Sequence, residues 1–200
     1  MTENLSNDEQ LRIKWFDENY ADILSRIEAS CNKSGRKAED VILLAATKTV
    51  PVSVINHAIK SGVQFIGENR VQEFVAKKDF LCNNVHKHFI GHLQTNKVKD
   101  IVEHVEMIES VHSIKLAKEI NDRCQKISKT MDVLVEVNIG DEESKSGFSP
   151  AELESAITEI SKFSNVKVKG LMTIPPICDN NEQICEKKKK MSKLFIDIQG

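Results

Sequence analysis

The chain has 200 residues, enough for one large domain or two small ones with a sizeable apolar core. Its 28 basic and 30 acidic residues leave a formal charge of −2, and only 5% of residues are aromatic, which argues against nucleic-acid binding. No apolar run approaches the roughly 20 residues of a membrane span, and no secretion signal is recognisable. The five cysteines form no C-x-x-C pair, so we expect reduced thiols in a cytoplasmic protein.

The predicted elements alternate regularly after one leading amphipathic helix, which begins after a polar stretch and ends near Ser34-Gly35. Strands are predicted at 41–48, 64–69, 86–91, 105–110, 131–138 and 166–174. Helices are predicted at 52–61, 70–80, 95–102, 113–128, 150–160 and 182–199. Six β-then-α units indicate a parallel sheet covered by helices. No G-x-G-x-x-G turn follows a strand, which disfavours a dinucleotide-binding fold.

The first predicted strand carries the leading candidate for chemistry. Six apolar residues precede Thr47-Lys48, which is typical of a strand buried on both faces, and Pro51 suits the start of a helix. Lys48 is therefore expected at the carboxyl end of a buried strand, where α/β folds place their sites. Partial desolvation there would favour an uncharged amine able to attack an aldehyde. The alternative is a lysine that simply extends into solvent, as most strand-end lysines do.

Other strand ends also carry polar or unusual residues. Asn69, Asn138 and Met172 would converge with Lys48 if the strands form a barrel, although asparagine also favours ordinary turns. Lys145, in a polar loop, is a candidate second amine or a solvated loop residue. His86 and His88 alternate on one face of a predicted strand and could be metal ligands, but His92 lies past a glycine and no acid is fixed nearby, so no metal site is predicted.

Five motifs resemble those of one known family. They are the segments 46–51, 67–73, 88–97, 137–147 and 170–175. In sequence, order and spacing they are similar to the pyridoxal phosphate homeostasis proteins, the YggS/PROSC family, over nearly the whole chain after the leading helix. The sequence departs from the family pattern at Arg70, where many relatives have tyrosine, and at Lys87, where many have tryptophan.

The resemblance implies an α/β fold, a (β/α)₈ TIM-type barrel with an N-terminal helix, similar to the cofactor domain of alanine racemase and forming one domain over residues 1–200. It implies pyridoxal 5′-phosphate (PLP) as cofactor, bound as a Schiff base on Lys48, with Asn69, Asn138 and Met172 as further binding residues. The family pattern continues past Gly200 with a phosphate-binding segment. The chain is therefore expected to lack the last two βα units.

The resemblance implies a non-catalytic PLP carrier in intracellular cofactor homeostasis, a monomer whose partners are PLP and apo PLP-dependent enzymes. No nucleic acid, membrane or metal is expected to bind. One alternative is a PLP-dependent racemase or decarboxylase. Racemisation needs a second base, which a tyrosine of a separate domain supplies in the racemase relatives, whereas the only tyrosine here is Tyr20 in the leading helix. The other alternative is a cofactor-free barrel fragment with a regulatory role.

Overall fold

The computed structural model describes residues 5–140, 146–176 and 180–199. The α-helices are α1 (Asn7–Ser34), α2 (Val52–Lys60), α3 (Val71–Lys77), α4 (Ile114–Lys126), α5 (Leu153–Ile160) and α6 (Asn181–Gln199). The strands are β1 (Leu44–Ala46), β2 (Phe65–Glu68), β3 (His86–Phe89), β4 (Met107–Val111), β5 (Met131–Glu136) and β6 (Val166–Met172). Three short 3₁₀ helices complete the described elements, at Ala38–Asp40, Lys78–Phe80 and Thr95–Asp100.

The six strands form one parallel sheet in the order β1-β2-β3-β4-β5-β6. Each new strand adds to the same side of its predecessor, whereas a doubly wound sheet reverses its strand order. This topology confirms the predicted α/β class and parallel sheet, and it is consistent with a TIM-type barrel. All strands point the same way, so their carboxyl ends lie along one edge of the sheet.

The sheet has two chemically different faces, as β5 illustrates. Met131, Val133 and Val135 are fully buried in the main apolar cluster, while the alternate residues Asp132 and Glu136 are only half-buried. Successive strand residues point to opposite faces, so this alternation separates a buried, helix-covered face from a second, less buried face. We call the second one the far face. The strand register aligns these far-face residues in one row: Ala46, Gly67, His88, Met107, Asp132 and Lys167.

Helix α1 begins and ends as its sequence predicts, but it is less buried. Ser6 and Glu9 form a reciprocal capping box, and Gly35 ends the helix with φ 68°. Among the residues of α1 only Cys31 is buried, and Trp15 is 55% exposed. The apolar side of this amphipathic helix is therefore only partly covered by the described chain.

Two further expectations need correction. Strand β1 is three residues long and not buried on both faces; Ile42, predicted inside it, is 62% exposed. In the described part of the chain β1 pairs only with β2, so it is an edge strand with one uncovered side. The helix predicted at 95–102 is a 3₁₀ helix over Thr95–Asp100 followed by turns, which is common in short connections.

The described segments contain no helix that is long and apolar enough to cross a bilayer. Four of the five cysteines are free thiols, namely Cys31, Cys82, Cys124 and Cys185.

Candidate functional site

Lys48 lies in a tight turn directly after β1. The Val50 N–H donates to the Thr47 carbonyl at 3.1 Å, which closes a β-turn with Lys48 and Thr49 at its centre. Thr49 has φ 60°, a left-handed conformation that non-glycine residues rarely adopt. Positive φ at the third residue is typical of a type II turn, in which Lys48 occupies the second position.

The Lys48 residue is exposed, and the predicted half-desolvated lysine is therefore wrong for this structure. The reason is the position of β1 at the sheet edge, where no described strand pairs with its other side. The Arg12 side chain of α1 donates to the Thr49 carbonyl at 3.4 Å but leaves Lys48 exposed. The lysine does lie at the carboxyl edge of the sheet, as predicted, immediately after Ala46 and Thr47. Its amine is thus accessible to a ligand at that edge.

Asn69 follows β2 at the same edge and carries a buried polar atom without a partner. Its Oδ1 meets no hydrogen-bond partner among the described residues, while its N–H donates to Glu68 Oε1 at 2.9 Å. Gly91, at the end of β3, lies directly against it, since a Cβ on Gly91 would be 2.0 Å from the Asn69 carbonyl oxygen. A buried acceptor without a donor is costly, which makes Oδ1 a candidate ligand contact.

Glu136, the last residue of β5, carries a second such atom. Its Oε2 is buried and finds no partner in the described ranges, and its register partner on β6 is Met172. Burial raises the pKa of the Glu136 carboxyl, an effect partly opposed by nearby His92. Asn138 lies two residues further on, half-buried, with its N–H donating to the Phe148 carbonyl at 2.9 Å. The ends of β5 and β6 thus bring Glu136, Asn138 and Met172 together.

Two histidines lie at the same edge of the sheet, His92 after β3 and His112 after β4. The His92 and His112 rings stack with centroids 4.3 Å apart, and His92 Nδ1 lies 3.0 Å from Ser146 Oγ. Burial lowers the pKa of His112, opposed by its hydrogen bond to the Ser110 carbonyl, while the neighbouring His92 lowers the pKa further. A neutral His112 is therefore favoured between the strand ends.

Sequence reasoning missed Glu136 and His112. Glu136 continues an alternating strand and His112 follows β4 directly, so applying the strand-end rule to every strand would have found both. The burial of Glu136 could not be read from the sequence, because it depends on neighbours from other strands.

We expect Glu136→Gln to stabilise the protein in a pH-dependent way. The folded state favours the protonated carboxyl, so stability is retained at acidic pH and lost as the pH rises through the raised pKa. An uncharged glutamine removes that loss, and we expect a gain of about 1 kcal/mol at pH 8 that shrinks towards pH 4.5. Urea denaturation at both pH values measures the difference in unfolding free energy between the variant and the wild type.

The matched control is Glu106→Gln, because Glu106 is an exposed partner of His86. It should change stability by less than about 0.5 kcal/mol at pH 8. A Glu136→Gln variant that loses stability at pH 8 would show instead that the carboxylate has a partner in solution.

The histidines considered as metal ligands are otherwise engaged. His86 pairs with Glu106 at 2.5 Å and His88 with Glu109 at 2.6 Å. Within the described residues, no group of three or more potential ligands is suited to hold a metal ion. Lys145, the candidate second amine, lies outside the described residues.

Comparison with known proteins identifies related sequences and folds. The family model for the alanine racemase N-terminal domain matches residues 24–197. The pyridoxal phosphate homeostasis protein of Aquifex aeolicus is 42% identical over 183 residues, which are 91% of this chain and 80% of that protein. The chain therefore spans about four fifths of that relative's length.

Two solved structures show the same architecture. A structure described as an unknown protein from Bifidobacterium adolescentis aligns with a TM-score of 0.86 at 35% identity, covering 96% of this chain and 81% of that one. PipY of Synechococcus elongatus, solved with PLP bound, aligns with a TM-score of 0.72 at 25% identity, covering 88% and 82%.

Proposed function

The chain belongs to the pyridoxal phosphate homeostasis proteins of the alanine racemase N-terminal domain family, and from that premise we propose that it binds PLP as a carrier in cofactor homeostasis. The single observation that supports this most strongly is the presence, at one sheet edge, of an accessible lysine and a buried oxygen that has no hydrogen-bond partner among the described residues. These are Lys48 and Asn69 Oδ1, which follow neighbouring paired strands.

The residues present fit such a cofactor. PLP is an aromatic aldehyde with a ring hydroxyl, a ring nitrogen and a phosphate, so it needs an amine, hydrogen-bonding groups and some apolar contact. Asn69 Oδ1 can accept from a hydroxyl, and protonated Glu136 can donate to an acceptor. Met172 offers an apolar surface on β6. We assign no phosphate contact among the described residues.

When bound, PLP supplies an aldehyde carbon that condenses with an uncharged primary amine and releases one water molecule. We assign that amine to Lys48. Its exposed position at the turn leaves it open to competing amines from solution, which suits a protein that gives its cofactor away. Asn138 is proposed to orient the ligand from the β5 side.

We propose that the protein does not catalyse turnover of amino acids. The related proteins are named for homeostasis, not for an enzymatic activity. Tyr20 lies in α1, where it stacks on Phe16 with centroids 5.0 Å apart, and it belongs to the cluster packed behind β1 and β2. It is therefore not placed to act as a second base at the strand ends.

We propose a single domain over residues 1–200 with barrel-type curvature, acting as a monomer in the cytoplasm and delivering PLP to apo enzymes. The sequential order of the six parallel strands supports the barrel, because in such a fold each strand joins its predecessor.

Retention of PLP without turnover of alanine, serine or lysine tests the carrier function, and turnover would instead indicate an enzyme.

We expect Asn69→Ala to release PLP more readily without destabilising the unliganded protein. Because Asn69 Oδ1 is proposed to accept from the ring hydroxyl of PLP, its removal should weaken PLP retention about 5- to 10-fold. In the unliganded protein Asn69 Oδ1 has no hydrogen-bond partner among the described residues, so we expect its removal to cost little stability. Dialysis of the loaded protein followed by absorbance spectroscopy measures retention, and urea denaturation measures stability.

The exposed Asn84→Ala substitution is the matched control and should change neither quantity. If Asn69→Ala retained PLP normally and lost stability, Asn69 would be a turn residue and not a ligand contact.

A further inference from the structure

Three charged side chains of β2 and α3 make hydrogen bonds to the turn that carries Lys48. We define the turn-supporting network as Glu68, Glu73 and Lys77. Lys77 Nζ donates to Glu68 Oε2 at 3.0 Å, to Glu73 Oε2 at 3.2 Å and to the Thr47 carbonyl at 3.0 Å. The side chains of Glu68 and Lys77 are only 4% and 15% exposed. The pair Glu68 and Lys77 is therefore largely shielded from water, and charge-assisted hydrogen bonds are stronger there than in solvent. The Glu73 side chain is 23% exposed.

Glu73 reaches the strained residue of the turn directly. Its Oε2 accepts the Thr49 N–H at 2.7 Å, so a carboxylate holds the residue whose φ is 60°. Backbone conformations of this kind persist where surrounding contacts impose them. The hydrogen bond from Thr49, followed by that from Lys77, holds the pKa of Glu73 below its usual value. Glu73 therefore stays ionised at neutral pH.

The buried carboxylate of Glu68 has enough hydrogen-bond and ion-pair partners without Glu73. Glu68 already has Lys77 as its ion-pair partner and accepts from Thr47 Oγ1 at 3.3 Å and from the Asn69 N–H. The bond from Glu73 to Thr49 instead ties helix α3 to the residue immediately after Lys48. Two bonds thus flank the lysine, one on the Thr47 carbonyl and one on the Thr49 N–H.

We propose that Glu73, supported by Lys77, is a positioning residue that fixes the 47–50 turn and thereby the direction of the Lys48 amine. This inference rests on the proposed function for its biological meaning, because it assigns Glu73 a role in PLP uptake through Lys48. An exposed lysine on an unrestrained turn would sample many directions and meet a bound aldehyde rarely.

The test compares Glu73→Ala with Glu73→Gln and Arg70→Ala. Alanine removes the acceptor, whereas glutamine keeps an oxygen that can accept the Thr49 N–H. Arg70 is the matched control, since its side chain is 70% exposed and pairs with Glu73 through Oε1, at 3.3 Å, and not through the Oε2 atom that accepts from Thr49. Amide hydrogen exchange at Thr49, measured by NMR on the unliganded proteins, reports the order of the turn.

We expect Thr49 exchange about tenfold faster in Glu73→Ala, consistent with loss of one charge-assisted hydrogen bond. The rate of borohydride-trapped PLP uptake at Lys48 should fall by about the same factor. Glu73→Gln should recover much of both quantities and Arg70→Ala should match wild type. Thermal melts identify any general loss of folding, which would accelerate exchange throughout α3 and not only at Thr49.

Unchanged Thr49 exchange in a folded Glu73→Ala variant would overturn the positioning role. So would faster exchange accompanied by wild-type PLP uptake at Lys48. The exchange measurement needs no cofactor, so it distinguishes this inference from the proposed function. If the wild-type chain took up no PLP at Lys48, the proposed function and the uptake role of Glu73 would both fall, whatever the exchange showed.

Discussion

Lys48→Ala is expected to abolish the covalent PLP adduct while leaving the fold intact. The substituted side chain is exposed and lies in a turn, so its removal should change stability by less than about 0.5 kcal/mol. The adduct should be lost completely, because the turn between β1 and α2 contains no other lysine and the neighbouring Lys77 amine is engaged by Glu68 and Glu73. Absorbance titration with PLP, with and without borohydride, measures the adduct, and circular dichroism measures the fold.

Lys48→Arg is the appropriate companion variant. Arginine keeps the positive charge and the length of the side chain, but its guanidinium does not lose a proton in proteins and cannot form the adduct. Loss of the adduct in both variants would assign the covalent role to the amine and not to the charge. A full adduct yield in either variant would move the attachment to another lysine, with Lys145 the first to test.

Gly91→Ala is expected to be the most destabilising single-methyl change at the strand ends. The added Cβ would lie 2.0 Å from the Asn69 carbonyl oxygen, which belongs to a backbone that cannot move aside cheaply. We expect a loss of about 3 kcal/mol, at the upper end of the usual cost of overpacking. Asn69 would shift with the backbone, so PLP retention should fall as well. Urea denaturation measures the first effect and dialysis the second.

Gly170→Ala provides the matched control. A Cβ there would meet Leu134 Cδ2 at 3.5 Å, an ordinary contact, and Gly170 has no positive φ. Its stability should change by less than about 1 kcal/mol. Equal stability of the two variants would contradict the close contact between the ends of β2 and β3.

The sequence allowed the alternation of strands and helices to be predicted because the signal is periodic and local. Val133 and Val135 alternate with polar residues on β5, and α4 shows helical spacing from Leu116 to Cys124. Parallel order then follows from the connecting helices. These features need no knowledge of distant neighbours, which is why they were predicted correctly.

Exposure at the edge of the sheet could not be predicted in the same way. The apolar run before Lys48 is typical of a central strand, but whether a strand is covered depends on what pairs with its other side. Trp15 on α1 is a similar case, because it is 55% exposed and its apolar character does not specify a neighbour. Hydrophobicity indicates a preference for burial and not the partner that provides it.

The candidate site was only partly predictable for a related reason. Lys48 and Asn69 were chosen because they follow strands, a local rule. The hydrogen bond from Thr49 to Glu73 joins residues 24 positions apart, and that between Lys77 and the Thr47 carbonyl spans 30. Such contacts depend on the packing of α3 behind β1 and β2, so only the folded structure reveals them.

The most direct test of the account is to locate the attached cofactor in the wild-type chain. The protein is loaded with PLP, reduced with borohydride, digested and analysed by peptide mass spectrometry. We expect one labelled peptide containing the segment 46–51, with the label on Lys48. A label spread over many surface lysines, or concentrated on a different one, would contradict the claim that this turn carries the PLP-binding amine.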